Sequence, residues 1–248
     1  MPTESPQSPA TVVTDGKQSY WAIIPAAGVG RRMQADRPKQ YLSLGNKTVI
    51  EHTLDRLLSM PAISGAVLSI SEGDEYWPEL DYRSDKPILI AQGGKERSDS
   101  VLNALQLLQQ QVADSRYVWA LVHDAARPCV RTEDIQHLIE QASTDQGGLL
   151  ALPVRDTMKR AGAGDAIDHT VEREGLWHAL TPQMFRLDSL LAALLQAQRQ
   201  HQAITDDASA MELAGYTPQL IEAHEDNIKI TRAFDLQLAQ LYLQQQQL

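Results

Sequence analysis

From Tyr20 onward, short apolar runs alternate with amphipathic stretches, and this rhythm constrains the fold more than any other feature of the chain. Residues 21–24, 66–70, 88–91, 118–122 and 149–154 form runs of four to six residues, bounded by Gly, Pro or Asp. Runs of that length suit strands buried on both faces, as in a parallel sheet. Between them, residues 49–58, 101–112 and 135–142 carry apolar side chains at helical spacing. Thr48, Ser98, Thr132, Thr205 and Thr231 are expected as N-caps, because a side-chain oxygen there accepts from an otherwise unpaired backbone N–H. Repeated strand–helix units with right-handed crossovers give an α/β fold, doubly wound and mostly parallel, Rossmann-like in outline. Ligands of such sheets sit beyond the carboxyl ends of the strands. The loops that follow each apolar run are therefore where chemistry is expected.

Two segments depart from the rhythm. Residues 155–176 hold Gly162, Gly164, several charges and β-leaning stretches at 156–159 and 169–171. They predict a protruding β-hairpin arm. A hairpin alone is marginal, so the arm is expected to pack on a second copy of the chain in a homodimer. Residues 1–17 are rich in Pro, Ser and Thr and lack an apolar core, which predicts a disordered tail and not a secretory signal. Residues 18–248 then form a single domain, whose run of glutamines at the end is expected to fray.

Composition excludes several classes of partner. The 248 residues can bury a sizeable core. A formal net charge of -10 opposes binding to nucleic acid or to an anionic membrane. Any anionic ligand must be met by a local basic cluster. Cys129 is the only cysteine, so no intrachain disulfide can form, and a reducing, cytoplasmic setting with an inert buried thiol is expected. No run of about 18 apolar residues is present to span a membrane.

The loop after the first apolar run carries the basic cluster. It reads Pro25-Ala26-Ala27-Gly28-Val29-Gly30-Arg31-Arg32-Met33, with Arg37, Pro38, Lys39 and Gln40 close behind. Small residues let backbone N–H groups approach phosphate oxygens. A dinucleotide fingerprint would need glycine where Met33 stands, and a Walker A loop is absent. Two readings remain, a nucleoside triphosphate cradle with Arg and Lys neutralising charge, and a glycine-rich turn followed by a solvated basic helix face; Arg32 and Pro38-Lys39-Gln40 at this spacing favour the cradle. The A-A-G-x-G-x-R-M and P-K pattern resembles the sugar-phosphate nucleotidyltransferases. That resemblance implies nucleotidyl transfer, which depends on positioning and charge stabilisation, with a phosphate monoester attacking as an anion without a general base.

Further motifs narrow the resemblance. Gly93-Gly94-Lys95-Glu96-Arg97-Ser98-Asp99-Ser100, His123-Asp124-Ala125-Ala126-Arg127-Pro128, Leu176-Trp177-His178-Ala179-Leu180-Thr181-Pro182-Gln183, Thr205-Asp206-Asp207-Ala208 and Asp226-Asn227-Ile228-Lys229 follow in this order. As a set they resemble the 2-C-methyl-D-erythritol 4-phosphate cytidylyltransferases of the non-mevalonate isoprenoid pathway. That resemblance implies transfer of a cytidylyl group from CTP to a small polyol phosphate, with magnesium as cofactor and no protein metal site. It implies Arg32 and Lys39 at the α-phosphate, a cradle of Ala26, Ala27, Gly28 and Gly30, and Gly94 and Ser100 on the cytosine. Asp124 would meet the polyol hydroxyls or a metal. Arg173 and Lys229 would hold the substrate phosphate, assisted by Thr157 and Thr181. His123, His169 and His178 match no zinc spacing, and Arg127 is expected to be structural. Asp206-Asp207 could bind metal or mark a helix start. A pentitol phosphate substrate and a non-catalytic CTP-binding role are the competing readings.

Overall fold

Strand β1 (Ser19–Pro25) shows how the apolar rhythm becomes a layered fold. Its side chains alternate between two cores, since successive strand residues point to opposite faces. Tyr20, Ala22 and Ile24 pack on one side of the sheet, and Trp21 and Ile23 on the other. Residues 17–28 and 37–246 are described by the computed structural model. The tail expected over residues 1–17 therefore lies outside the described residues, save Lys17.

After β1 a small hairpin, β2 (Ser43–Leu44) and β3 (Lys47–Thr48), leads into α1 (Val49–Ser59). Then come β4 (Ile63–Ile70), the single turn α2 (Tyr76–Glu79), β5 (Ile88–Gln92), α3 (Arg97–Gln111), β6 (Val118–Val122), α4 (Thr132–Ala142) and β7 (Gly148–Pro153). The arm is β8 (Met158–Ala161) and β9 (Ile167–Val171). The chain returns through β10 (Trp177–Arg186), α5 (Leu187–Arg199), α6 (Asp207–Leu213), β11 (Gln219–Glu222) and α7 (Ala233–Gln245). Leu54 and Leu57 of α1 and Leu138 of α4 fill the core on one face, while Leu105 of α3 and Leu190 of α5 fill the other. No helix among the described residues is long and apolar enough to cross a membrane.

The seven strands lie in the order β11-β7-β10-β6-β1-β4-β5. All neighbours pair in parallel except β10, which runs antiparallel to both β6 and β7. The five apolar runs became β1, β4, β5, β6 and β7. From β1 the chain winds outward through β4 and β5, then crosses back to β6 on the other side of β1. That reversal opens a crevice at the carboxyl ends of β1 and β6, where ligands of such sheets bind.

The arm is a separate two-stranded sheet, as the sequence predicts. Every residue of its strands is exposed except the half-buried Val171, and Ile167 is 66% exposed. Of the expected caps, Thr48 closes a capping box with Glu51 at the start of α1. The others are displaced. Asp206 caps α6 in place of Thr205, and α3, α4 and α7 begin after Glu96, Arg131 and Arg232. The cause is visible in α3 and α7, where Asp99 and Asp235 reach back to the N–H groups of Glu96 and Arg232, at 3.0 and 2.8 Å. A carboxylate three residues inside the helix captures the free donor more strongly than a hydroxyl.

Candidate active site

The loop leaving β1 is tied down by its backbone and its neighbours. Ala26 N–H donates to Ser69 O at 2.8 Å, extending the β1–β4 ladder by one residue. Ser71 Oγ donates to Ala27 O at 2.9 Å, and the buried Gln40 amide donates to Ala26 O at 2.5 Å. Gln40 sits in a short helical turn, Lys39–Tyr41, whose Tyr41 hydroxyl donates to Asp74 at 2.9 Å. The turn thus fixes Lys39 beside the β1 loop. Across the crevice, Lys39 Nζ donates to Ile230 O at 2.8 Å, joining segments 191 positions apart.

The loop from β5 to α3 closes the next wall. A Cβ added to Gly93 would stand 2.1 Å from the Ala27 Cβ, and one on Gly94 would stand 2.2 Å from the Asp99 Cβ. Only glycine permits this approach. Gly94 N–H donates to Ser100 Oγ at 3.0 Å, so that hydroxyl holds the loop's shape.

Asp124 stands just past β6 and is 7% exposed. Its Oδ1 accepts from Arg97 Nε at 3.0 Å, and its Oδ2 meets Lys229 Nζ at 2.8 Å and Arg127 Nε at 3.5 Å. Burial alone would raise this carboxyl. Arg97, Lys229 and Arg127 outweigh burial and hold it far below the ordinary carboxylate range. Arg97 also reaches Asp207, Nη1 to Oδ2 at 2.9 Å. Burial would lower the Arg97 guanidinium, but its two carboxylates keep it charged.

Behind Asp124 lies a hydrogen-bond network with settled directions. Arg127 O can only accept, so His123 Nε2 carries the proton and donates to it at 3.0 Å. His123 Nδ1 then accepts from the Thr181 hydroxyl at 3.0 Å, and that hydroxyl accepts from Asp124 N–H at 3.1 Å. Asn227 Nδ2 donates to Thr181 O at 2.9 Å, while Arg127 Nη1 donates to Asn227 O at 2.7 Å. Burial pushes His123 down to about 4, which keeps it neutral. Arg127 is buried within this network.

Ala26, Ala27, Gly28, Lys39, Gly94, Ser100, Asp124 and Lys229 of the sequence-predicted residues line one cavity. Gly30 and Arg32 lie outside the described residues. Thr181 is buried behind the cavity with its hydroxyl engaged, and Arg173 lines a different groove at the base of the arm. Thr157 is exposed between β7 and β8. Arg97 and Gln40 line the cavity but were not singled out from sequence. Their signals were the arginine of G-G-x-x-R and the glutamine of P-K-Q. Among the lining residues, Lys39, Lys95, Arg97 and Lys229 face Glu96 and Asp124, a local positive excess on a chain of net charge -10. Backbone donors and cations at strand ends make a receptacle for phosphates.

Comparison with known proteins agrees with this chemistry. The family profile described as IspD, 2-C-methyl-D-erythritol 4-phosphate cytidylyltransferase, matches residues 20–245. A protein of that name from Vibrio vulnificus (strain CMCP6) is 56% identical over 228 residues, which cover 91% of this chain and 94% of the relative. A crystal structure of 4-diphosphocytidyl-2C-methyl-D-erythritol synthase superposes with a TM-score of 0.80 at 37% identity, covering 92% of this chain and 99% of that one. The Francisella tularensis 2-C-methyl-D-erythritol 4-phosphate cytidylyltransferase gives 0.78 at 36% identity, covering 91% and 100%. By profile, sequence and fold, the chain belongs to the 2-C-methyl-D-erythritol 4-phosphate cytidylyltransferase family.

Proposed function

We propose that the crevice between β1 and β6 is where this chain carries out its family's reaction, transfer of the cytidylyl group of CTP to 2-C-methyl-D-erythritol 4-phosphate in isoprenoid biosynthesis. An oxygen of the polyol phosphate attacks the α-phosphorus of CTP. A new P–O–P linkage forms, the bond to the β-phosphate breaks, and pyrophosphate leaves. The products are 4-diphosphocytidyl-2-C-methyl-D-erythritol and pyrophosphate. The attacking oxygen is already anionic at pH 7, so no base has to take a proton. The observation that carries this reading is the convergence of Lys39 and Lys229 in one cavity beside the Ala26–Gly28 backbone.

In the proposed arrangement Arg32 and Lys39 stabilise charge on the α-phosphate, and Ala26, Ala27, Gly28 and Gly30 cradle the triphosphate. Gly94 and Ser100 read the cytosine edge, Asp124 meets the polyol hydroxyls, and Lys229 holds the substrate phosphate. Magnesium is proposed as the cofactor, and bound together with CTP it would supply positive charge against the triphosphate. That mode asks no metal ligation of Asp124, whose two oxygens already serve Arg97 and Lys229. Thr157 and Arg173 are assigned to the site of a partner subunit, reached by the arm in a homodimer. The exposed apolar Ile167 and Met158 support a covered arm. The single cysteine supports a cytoplasmic setting.

The direct test is pyrophosphate release with CTP, magnesium and candidate polyol phosphates. Release is expected with 2-C-methyl-D-erythritol 4-phosphate, and kcat/KM with UTP is expected to fall at least ~10²-fold, because uracil presents an acceptor where cytosine presents a donor. Faster turnover of a pentitol phosphate would overturn the substrate, and binding of CTP without turnover would overturn the activity.

A further inference from the structure

Two sequence motifs, Thr181-Pro182-Gln183 and Thr205-Asp206-Asp207-Ala208, contribute no side chain to the cavity lining. They nevertheless meet each other. The buried Gln183 accepts from Ala208 N–H through Oε1 at 2.8 Å, and its Nε2 donates to Asp206 Oδ2 at 2.8 Å. Asp206 in turn accepts from Ser209 N–H at 3.0 Å and caps α6. The first turn of α6 is thereby fastened to β10. Its next residue, Asp207, is fully buried and points at Arg97.

Arg97 is shared between two carboxylates, Nη1 on Asp207 and Nε on Asp124. Its Nη2 is buried without a hydrogen-bond partner among the described residues. Nη2 lies on the same edge of the guanidinium as Nε. A small rotation would place both on the two oxygens of Asp124, the bidentate fork that arginine favours. That rotation would take Oδ2 away from Lys229, which holds it at 2.8 Å. The pull of Asp207 on Nη1 opposes it.

We infer that Asp207 is a positioning residue, which acts through Arg97 to keep Asp124 open to Lys229 and so fixes the ammonium that faces the substrate phosphate. The inference rests on the placement of that phosphate against Lys229 proposed above. Gln183 and Asp206 serve the same end by holding α6 in register. The two motifs form one brace behind the cavity.

The test is steady-state kinetics on Asp207→Asn, Arg97→Gln, the double variant and Lys229→Ala. Asp207→Asn is expected to raise KM for the polyol phosphate about 10-fold while KM for CTP moves less than about 3-fold. In the Arg97→Gln background the same change should have no further effect on that KM, since the contact it acts through is gone. A purely structural role would lower the melting temperature and leave both KM values unmoved, which overturns the inference. Additive effects in the double variant overturn it too. Should Asp207→Asn fail to fold, Gln183→Met loosens α6 while leaving the Asp207–Arg97 pair itself unmutated, and a rise of about 3-fold in the same KM is expected. An unchanged KM in Gln183→Met overturns the brace. Lys229→Ala separates the two levels. If it leaves KM for the polyol phosphate unchanged, the phosphate placement fails and the brace with it. If it raises that KM while Asp207→Asn does not, the brace alone is overturned.

Discussion

His123 carries a stability consequence that follows from its hydrogen bonds. Both ring nitrogens are used by the neutral form, and burial lowers the group to about 4 from its ordinary 6.5. As pH falls below 6.5 the unfolded chain takes up this proton while the folded chain resists. The stabilising contribution is therefore complete above pH 6.5 and is lost between 6.5 and about 4, amounting to about 2 kcal/mol by pH 5. Urea unfolding at pH 7.5 and at pH 5 should show the wild type losing about 2 kcal/mol more than His123→Asn. Parallel losses would place the pH dependence elsewhere. At this scale the sequence pointed to the cavity where a residue sits in the loop directly after an apolar run, as Gly94 and Asp124 do. Arg97 and Asp207 were not legible, because their pairing spans 110 positions and depends on burial. Spacing along one chain does not carry that information.

Helix α1 tests how local chemistry sets an element's start. Thr48 N–H donates to Glu51 Oε2 at 2.7 Å while the Thr48 hydroxyl receives Glu51 N–H at 3.5 Å. Thr48→Ala removes one half of this box and is expected to cost about 1 kcal/mol. For a chain of this size that is a fall of roughly 2–4 °C in Tm, read by circular dichroism, with turnover unchanged. No fall would mean that the Glu51 carboxylate alone anchors the helix. The strands that read clearly in sequence are those buried on both faces, where an unbroken apolar run is required. Strand β10 did not read so, because Thr181, Pro182 and Gln183 interrupt it. Its pairing with β7 slips between Ala179 and Gln183, at the point where proline has no N–H to give.

For the whole molecule, the proposed crossing of arms makes a prediction that neither protomer can satisfy alone. Lys39→Ala and Arg173→Ala should each be inactive. Mixed in equal amounts with subunit exchange, half the dimers are hybrids, and one site of each hybrid collects neither lesion, so about a quarter of wild-type activity should return. A mixture that stays inactive after exchange is verified would assign Arg173 to its own subunit. The strand order has a further consequence, for synthesis. Strands β5, β4, β1 and β6 all come from residues 19–122, whereas β10, β7 and β11 come from residues 148–222. A nascent chain can thus zip up the first half of its sheet while the second is still within the ribosome. The seam between the halves is β6 against β10, and just beyond it Asp124 N–H meets Thr181 at 3.1 Å. The rear wall of the cavity is built last, so a chain released early would lack both Thr181 behind Asp124 and the Lys229 ammonium beside it.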